Sequence, residues 1–144
     1  MPSRFSIAIV LGLCIITFAS MFLFAFNAAF GQTQIETISC HVQWVHDGDT
    51  FRCSGYAKST RLYGVDAPEM PGACRSGRTC TAGDPYASKA YLERLIGGKV
   101  LECDHLDTDH YGRPVMRCWA AGRDLSCSMV KAGMAVERYG QLNC

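Results

Sequence analysis

A surplus of charge is what this sequence most clearly lacks. Its 144 residues carry 14 Lys and Arg against 13 Asp and Glu, a formal net of +1. Arg4 is the only charged residue before Glu36, so setting it aside leaves 13 basic against 13 acidic side chains beyond it. That balance excludes a domain that grips polyanions across a broad basic face, and an anionic ligand would have to be held locally. Internal repeats and low-complexity tracts are also missing, which excludes solenoid and fibrous architectures. No CxxC pair and no histidine-rich spacing is present, which argues against a zinc centre. The four histidines, His41, His46, His105 and His110, share no catalytic spacing and are read as surface groups. What remains is a chain that is 49% apolar and long enough for one domain around one sizeable core.

Charge is absent in a second, more local way. Residues 5–26 are almost wholly apolar and follow a single arginine. A short basic start and an apolar run read as a secretory signal, with Ala29, Phe30 and Gly31 offering a small-x-small cleavage site before Gln32. The run is also long enough to span a bilayer. Residues 1–31 are therefore expected to be a signal peptide or a membrane anchor, meeting the membrane at least transiently, with the domain over 32–144 exported to the periplasm or beyond. Cys14 falls in this leader. Outside it, Cys40, Cys53, Cys74, Cys80, Cys103, Cys118, Cys127 and Cys144 make an even set, which in an exported domain implies disulfides. Eight cysteines allow 105 connectivities, and their spacing alone does not choose among them.

The chemistry gathers in residues 44–69, WVHDGDTFRCSGYAKSTRLYGVDAPE. Apolar and polar residues alternate on either side of DGDT, and Asp-Gly is a strong hairpin signal. The second run alternates Leu62, Gly64 and Asp66 against Arg61, Tyr63 and Val65, then stops at Pro68, which cannot continue a ladder. Two strand ends thus bring Asp47, Asp49, Asp66 and Glu69 to one rim of a sheet. Such a cluster is costly unless a cation or an arginine neutralises it. Asp47 itself is read as a stabiliser of its turn. Residues 70–83 form a loop, with Arg75 and Arg78 as solvated side chains. Asp84 and Pro85 start a helix in the favoured way, and Gly97-Gly98 ends it, with Ala87, Tyr91, Leu92 and Leu95 as its apolar stripe. Strands follow over 99–104 and 114–121, then a short helix over 126–131. Residues 135–139 read as strand or irregular tail. Three strands, a helix, two strands and a helix suggest an α+β fold, mainly β: a five-stranded OB-type barrel with two or three helices.

DGDT, then RLYGVDAPE, then DHYGR, in that order and spacing, resemble the signature of staphylococcal-nuclease-like (thermonuclease) domains over residues 37–139, here as an exported, disulfide-containing bacterial member. The resemblance implies an endonuclease acting on DNA or RNA as a monomer and leaving a 3′-phosphate and a 5′-hydroxyl. It implies a calcium ion held by Asp49, Asp66 and the carbonyl of Ala67. It makes Glu69 the group that activates water, with Arg61 and Arg113 gripping the scissile phosphate and Tyr111 and Tyr139 near the nucleotide. The residue types suit that assignment. Calcium prefers oxygen ligands, and a guanidinium fork matches phosphate oxygens in pairs. The alternative is an OB-type module that binds an oligonucleotide or acidic glycan without cutting it, or an accessory protein of exopolysaccharide production.

Cys103 and Cys118 are placed symmetrically about the DHYGR turn, which would centre the hairpin between His110 and Tyr111. Residues equidistant from an antiparallel turn lie opposite each other, with Cα atoms ~4.5–5.5 Å apart, a span that a disulfide can bridge. A 103–118 bond is therefore expected. Cys74–Cys80 closes the loop, and Cys40–Cys53 and Cys127–Cys144 complete the set.

Overall fold

The structure, a computed structural model, describes residues 35–144; the leader expected over 1–31 and Cys14 lie outside them. Eight strands and two helices follow in the order Glu36–Val45 (β1), Thr50–Cys53 (β2), Thr60–Leu62 (β3), Val65–Asp66 (β4), Pro85–Ile96 (α1), Val100–Thr108 (β5), Pro114–Ala120 (β6), Arg123–Asp124 (β7), Leu125–Lys131 (α2) and Val136–Glu137 (β8). The strands run β3-β2-β1-β5-β6, and a parallel pairing of β3 with β6 closes them into a five-stranded barrel. This is the OB-type α+β architecture. β7 extends the sheet from β6, and β4 pairs with β8 in a separate ribbon.

Period-two patterning builds the wall. In β6, Pro114, Met116, Cys118 and Ala120 are buried and the residues between them are half-buried, as a pleated strand with one inward face requires. Phe51, Leu62, Leu101 and Met116 from the barrel meet Leu92, Ile96, Leu125 and Met129 from the helices in a fully enclosed core.

The Asp84 carboxylate accepts from the Tyr86 and Ala87 N–H groups and caps α1, and Pro85 opens its first turn. The buried stripe differs from the one the sequence suggested. Ala87 is exposed, while Ser88, Leu92 and Ile96 are buried at four-residue spacing, with Tyr91 and Leu95 half-buried beside them. A serine can hold an inward position because its Oγ donates to the Met134 carbonyl at 2.6 Å, so no buried hydroxyl is left unpaired. Ser88 also faces the DGDT turn at very close range. A Cβ added to Gly48 would lie 1.8 Å from Ser88 Oγ and 2.8 Å from the Ala67 Cβ. The glycine of DGDT is thus required by the close approach of α1.

Cys103 faces Cys118 across β5 and β6, and the pairing stays symmetric as far as His105 opposite Met116. Leu106 is then an extra residue on β5, so the next pairs are Asp107 with Val115 and Thr108 with Pro114. The turn therefore centres on Tyr111 rather than between His110 and Tyr111. A bulge of this kind bends its strand and re-aims what lies beyond it, here the turn that carries Arg113.

Residues 135–139, open between strand and tail in the sequence, include β8, and the Arg138 N–H donates to the Gly64 carbonyl at 2.9 Å. Leu142 is fully buried against Gly64, where a Cβ would meet it at 2.4 Å. Arg117 Nη2 donates to the Leu142 carbonyl at 2.8 Å. Four disulfides join Cys40 to Cys53, Cys74 to Cys80, Cys103 to Cys118 and Cys127 to Cys144. No helix among the described residues is long and apolar enough to cross a membrane.

Candidate active site

The DGDT loop is tight because the His46 and Asp47 N–H groups both donate to the Thr50 carbonyl. It turns Asp49 inward, where the side chain is almost completely buried. Asp49 Oδ1 accepts from the Thr50 hydroxyl at 2.8 Å and from Arg61 Nη1 at 3.0 Å, and Oδ2 accepts from the Ala67 N–H at 2.8 Å. Asp47 is buried without an arginine. Burial, and then the neighbouring Asp49, push its carboxyl from 3.8 up to about 7.

Arg61 projects from β3 between the two acid-bearing segments and bridges them, donating to Asp49 and, through Nη2, to Asp66 at 2.8 Å and the Val65 carbonyl at 3.2 Å. Burial would lower its pKa, but Asp49 and Asp66 outweigh that and hold the guanidinium above its ordinary value.

Asp66 is completely enclosed. Its Oδ1 accepts from Arg61 and from Arg78 Nη2, and its Oδ2 from the Thr81 hydroxyl at 2.7 Å and Arg138 Nη1 at 3.1 Å. Burial pushes the carboxyl up, yet Thr81, Arg78 and Arg61 together hold it below the usual carboxylate range. Glu69 accepts from Arg78 Nη1 at 2.7 Å.

Above this cluster opens a cleft of about 560 Å³, whose walls include Arg61, Glu69, Arg78, Tyr111, Arg113 and Tyr139. His46 and His110 also reach it. Asp49, Asp66 and Ala67 do not line it; they lie behind the arginines. Arg113 is fixed by its own turn, since Asp109 Oδ1 accepts from the Tyr111 and Arg113 N–H groups at 2.9 Å and Oδ2 accepts from Arg113 Nε at 2.7 Å. Burial pushes Asp109 up, but those bonds to Arg113 hold its carboxyl below the ordinary range. The Tyr111 ring lies between Arg75, 4.1 Å away, and Arg113, 5.5 Å away, and Lys58 Nζ donates to the Tyr111 carbonyl. Tyr139 is 64% exposed and stands against Arg61 and Arg138 at 5.8 and 5.2 Å. Its φ of 64° is unusual for a bulky residue and marks a constrained position.

The structure thus brings Arg61, Glu69, Arg113, Tyr111 and Tyr139 to one cleft. It departs from the sequence reading at Arg78, which is not a solvated loop residue but sits in the acid cluster; Arg75 is exposed, as expected, and stacks on Tyr111. Arg78, Thr81 and Arg138 were missed as site residues. The motif stretch carries four acids against Arg52, Lys58 and Arg61, so its charge count gave no clear signal that further cations were needed.

The calcium ion implied by the motifs can be tested against these donors. A carboxylate has about four lone-pair sites, and all four of Asp66 are taken, two of them by guanidinium groups on Oδ1. Calcium takes roughly six to eight oxygen ligands, and among the described residues no group of three or more acidic, His or Cys side chains is placed to hold a metal. As arranged here, the donor set does not fit calcium.

Residues 59–143 match the staphylococcal nuclease homologue family. That match covers more than half of the chain, and the chain belongs to this family. A probable endonuclease LCL3 of Yarrowia lipolytica is 35% identical over 97 residues, which is 61% of this chain and 40% of that protein. The chain accordingly spans well under two thirds of that relative's length.

Proposed function

We propose that this domain is a nuclease that hydrolyses phosphodiester bonds of DNA or RNA in the cleft above Arg61. The observation that carries the reading is the convergence of Arg61, Glu69 and Arg113 on one cleft from three separate segments, in a chain of this family. Arg113 is locked through Nε to Asp109, and its terminal nitrogens make no hydrogen bond among the described residues. It presents a fork suited to two phosphate oxygens. Arg61 has five N–H groups and uses three on Asp49, Asp66 and Val65, leaving two for a phosphate. Both cations stabilise charge that grows on the phosphoryl oxygens as water attacks, more than they stabilise the bound substrate. Glu69 orients that water and takes its proton. The phosphorus–O5′ bond breaks, and O5′ takes a proton from solvent, since a guanidinium is a poor acid. The products carry a 3′-phosphate and a 5′-hydroxyl.

Two finer statements belong to the same proposal. Asp49, Asp66 and Ala67 would hold calcium only with Arg78 withdrawn. Residues 1–31 would export the domain, and four disulfides suit an oxidising compartment. The test is the full chain on plasmid DNA and on RNA, with added calcium and with a chelator. Loss of such a group typically costs ~10²-fold or more in rate. Glu69→Gln at wild-type rate refutes the role given to Glu69, and no cleavage of either polymer under any of these conditions refutes the reading.

A further inference from the structure

Among the groups that occupy the acids where the motifs imply calcium, the Arg78 side chain is the one carried on an exposed, crosslinked loop. Arg78 lies inside the loop that the Cys74–Cys80 disulfide closes over six residues. Its two terminal nitrogens reach two different acids, Nη2 to Asp66 and Nη1 to Glu69 at 2.7 Å. A planar fork with a delocalised positive charge spans these carboxylates much as a divalent cation would. The same short segment docks at two further points. Thr81 donates to Asp66 Oδ2 at 2.7 Å, and the Thr79 carbonyl accepts from Arg138 Nη1 at 3.2 Å. Residues 78, 79 and 81 thus fasten the loop onto the cluster while residues 71–77 stay exposed.

We infer that Arg78 is the resident cation of the acid cluster, and that a divalent cation and the Arg78 guanidinium compete for Asp66. This rests on the ligand set that the nuclease reading assigns, Asp49 and Asp66. Three arginines touch Asp66, and they are not equivalent. Arg61 is enclosed on β3 with its side chain 12% exposed, and it also holds Asp49. Arg138 reaches one oxygen of Asp66 and does not touch Glu69. Withdrawal of Arg61 would free Asp49 and Asp66 but requires an enclosed side chain to leave β3, whereas Arg78 sits on an exposed loop whose ends are tied to each other. The disulfide narrows the conformations open to that loop, so it favours the docked arrangement in which Arg78 is seated. Arg78 is a positioning residue here: it sets which cation the acids meet.

The comparison that decides this is calorimetric. Calcium is titrated into the chelator-stripped full chain, wild type against Arg78→Gln, with calcium-induced shifts of melting temperature as a second readout. The expected result is at least ~10-fold tighter calcium binding in Arg78→Gln and a larger stabilisation by calcium. Equal or weaker binding in the variant overturns the inference, and so does an absence of binding in both proteins. Should Arg78→Gln not fold, the Cys74→Ser/Cys80→Ser chain keeps every partner of Asp66 but frees the loop. It is expected to bind calcium more tightly than wild type, and unchanged affinity there overturns the inference as well. Cleavage by wild type in the presence of chelator is a separate measurement. Its failure together with failure in added calcium bears on the nuclease reading and leaves this comparison standing.

Discussion

Replacing Gly48 by alanine tests how closely the DGDT loop depends on helix α1. The added Cβ would sit 1.8 Å from Ser88 Oγ, 2.9 Å from Ser88 Cβ and 2.8 Å from Ala67 Cβ. Rotation of the serine relieves the first contact, but at the loss of its bond to the Met134 carbonyl; it cannot relieve the other two. Ala67 and Ser88 are both buried, so neither gives way toward solvent. Overpacking of this kind costs ~1–3 kcal/mol, and loss of the bond to the half-buried Met134 carbonyl adds ~0.5–1.5 kcal/mol. Gly48→Ala is therefore expected to lower stability by about 3 kcal/mol in urea unfolding with the disulfides intact. The Gly48→Ala/Ser88→Gly double variant should recover part of that loss beyond additivity, a coupling of ~1–3 kcal/mol between touching residues. A loss below ~0.5 kcal/mol, or strictly additive single variants, would refute the close-approach argument. The same substitution displaces Ala67, whose N–H orients Asp49, so nuclease rate should fall with stability.

Asp47 carries a carboxyl raised by burial to about 7, so between pH ~4 and ~7 the folded chain binds a proton that the unfolded chain has released, and stability falls as pH rises through that window. Asp47→Asn should flatten the dependence and be the more stable protein at pH 8 by on the order of 2–4 kcal/mol; a wild-type-to-variant difference that does not change from pH 4 to pH 8 would contradict the assignment. Removing the β5–β6 crosslink with Cys103→Ala/Cys118→Ala opens a loop of 15 residues, for which guanidinium unfolding should register a loss of about 3 kcal/mol; a change under ~1 kcal/mol would show that the hairpin holds its register without the bond.

What the sequence made legible was local or symmetric. The Asp84–Pro85 start of α1 is written in adjacent residues, and the β5–β6 register shows in two cysteines equidistant from a turn. Leu106 escaped because a bulge adds one residue with no compositional mark, so the symmetry placed the cysteines correctly and the turn centre slightly wrong. Ser88 escaped because hydrophobic periodicity counts apolar residues, and its inward position depends on a carbonyl 46 residues away. The OB-type barrel was recoverable from element order and motifs. The partners of Asp66 were not, since Arg78 and Arg138 come from 12 and 72 residues further along. An arginine in a polar loop reads as solvated until the fold brings an enclosed carboxylate within reach, and no local pattern distinguishes it from Arg75.

The disulfides have a temporal side. The cysteines pair strictly with their next neighbour in the chain, across separations of 13, 6, 15 and 17 residues, so no loop closed by one bond contains a cysteine belonging to another. Of the 105 possible pairings of eight cysteines, this is the one that an oxidant meeting the chain in order of its emergence would form without correction. Each bond can close as soon as a short stretch past its first cysteine is available, at the modest entropy cost of a short loop. Cys40–Cys53 would thus form before the Arg78 loop has appeared, and Cys74–Cys80 before the strand that brings Arg113. Isomerisation is needed only where oxidation outruns that order, and a fully reduced chain refolded all at once should therefore recover more slowly than one oxidised from its N-terminal side.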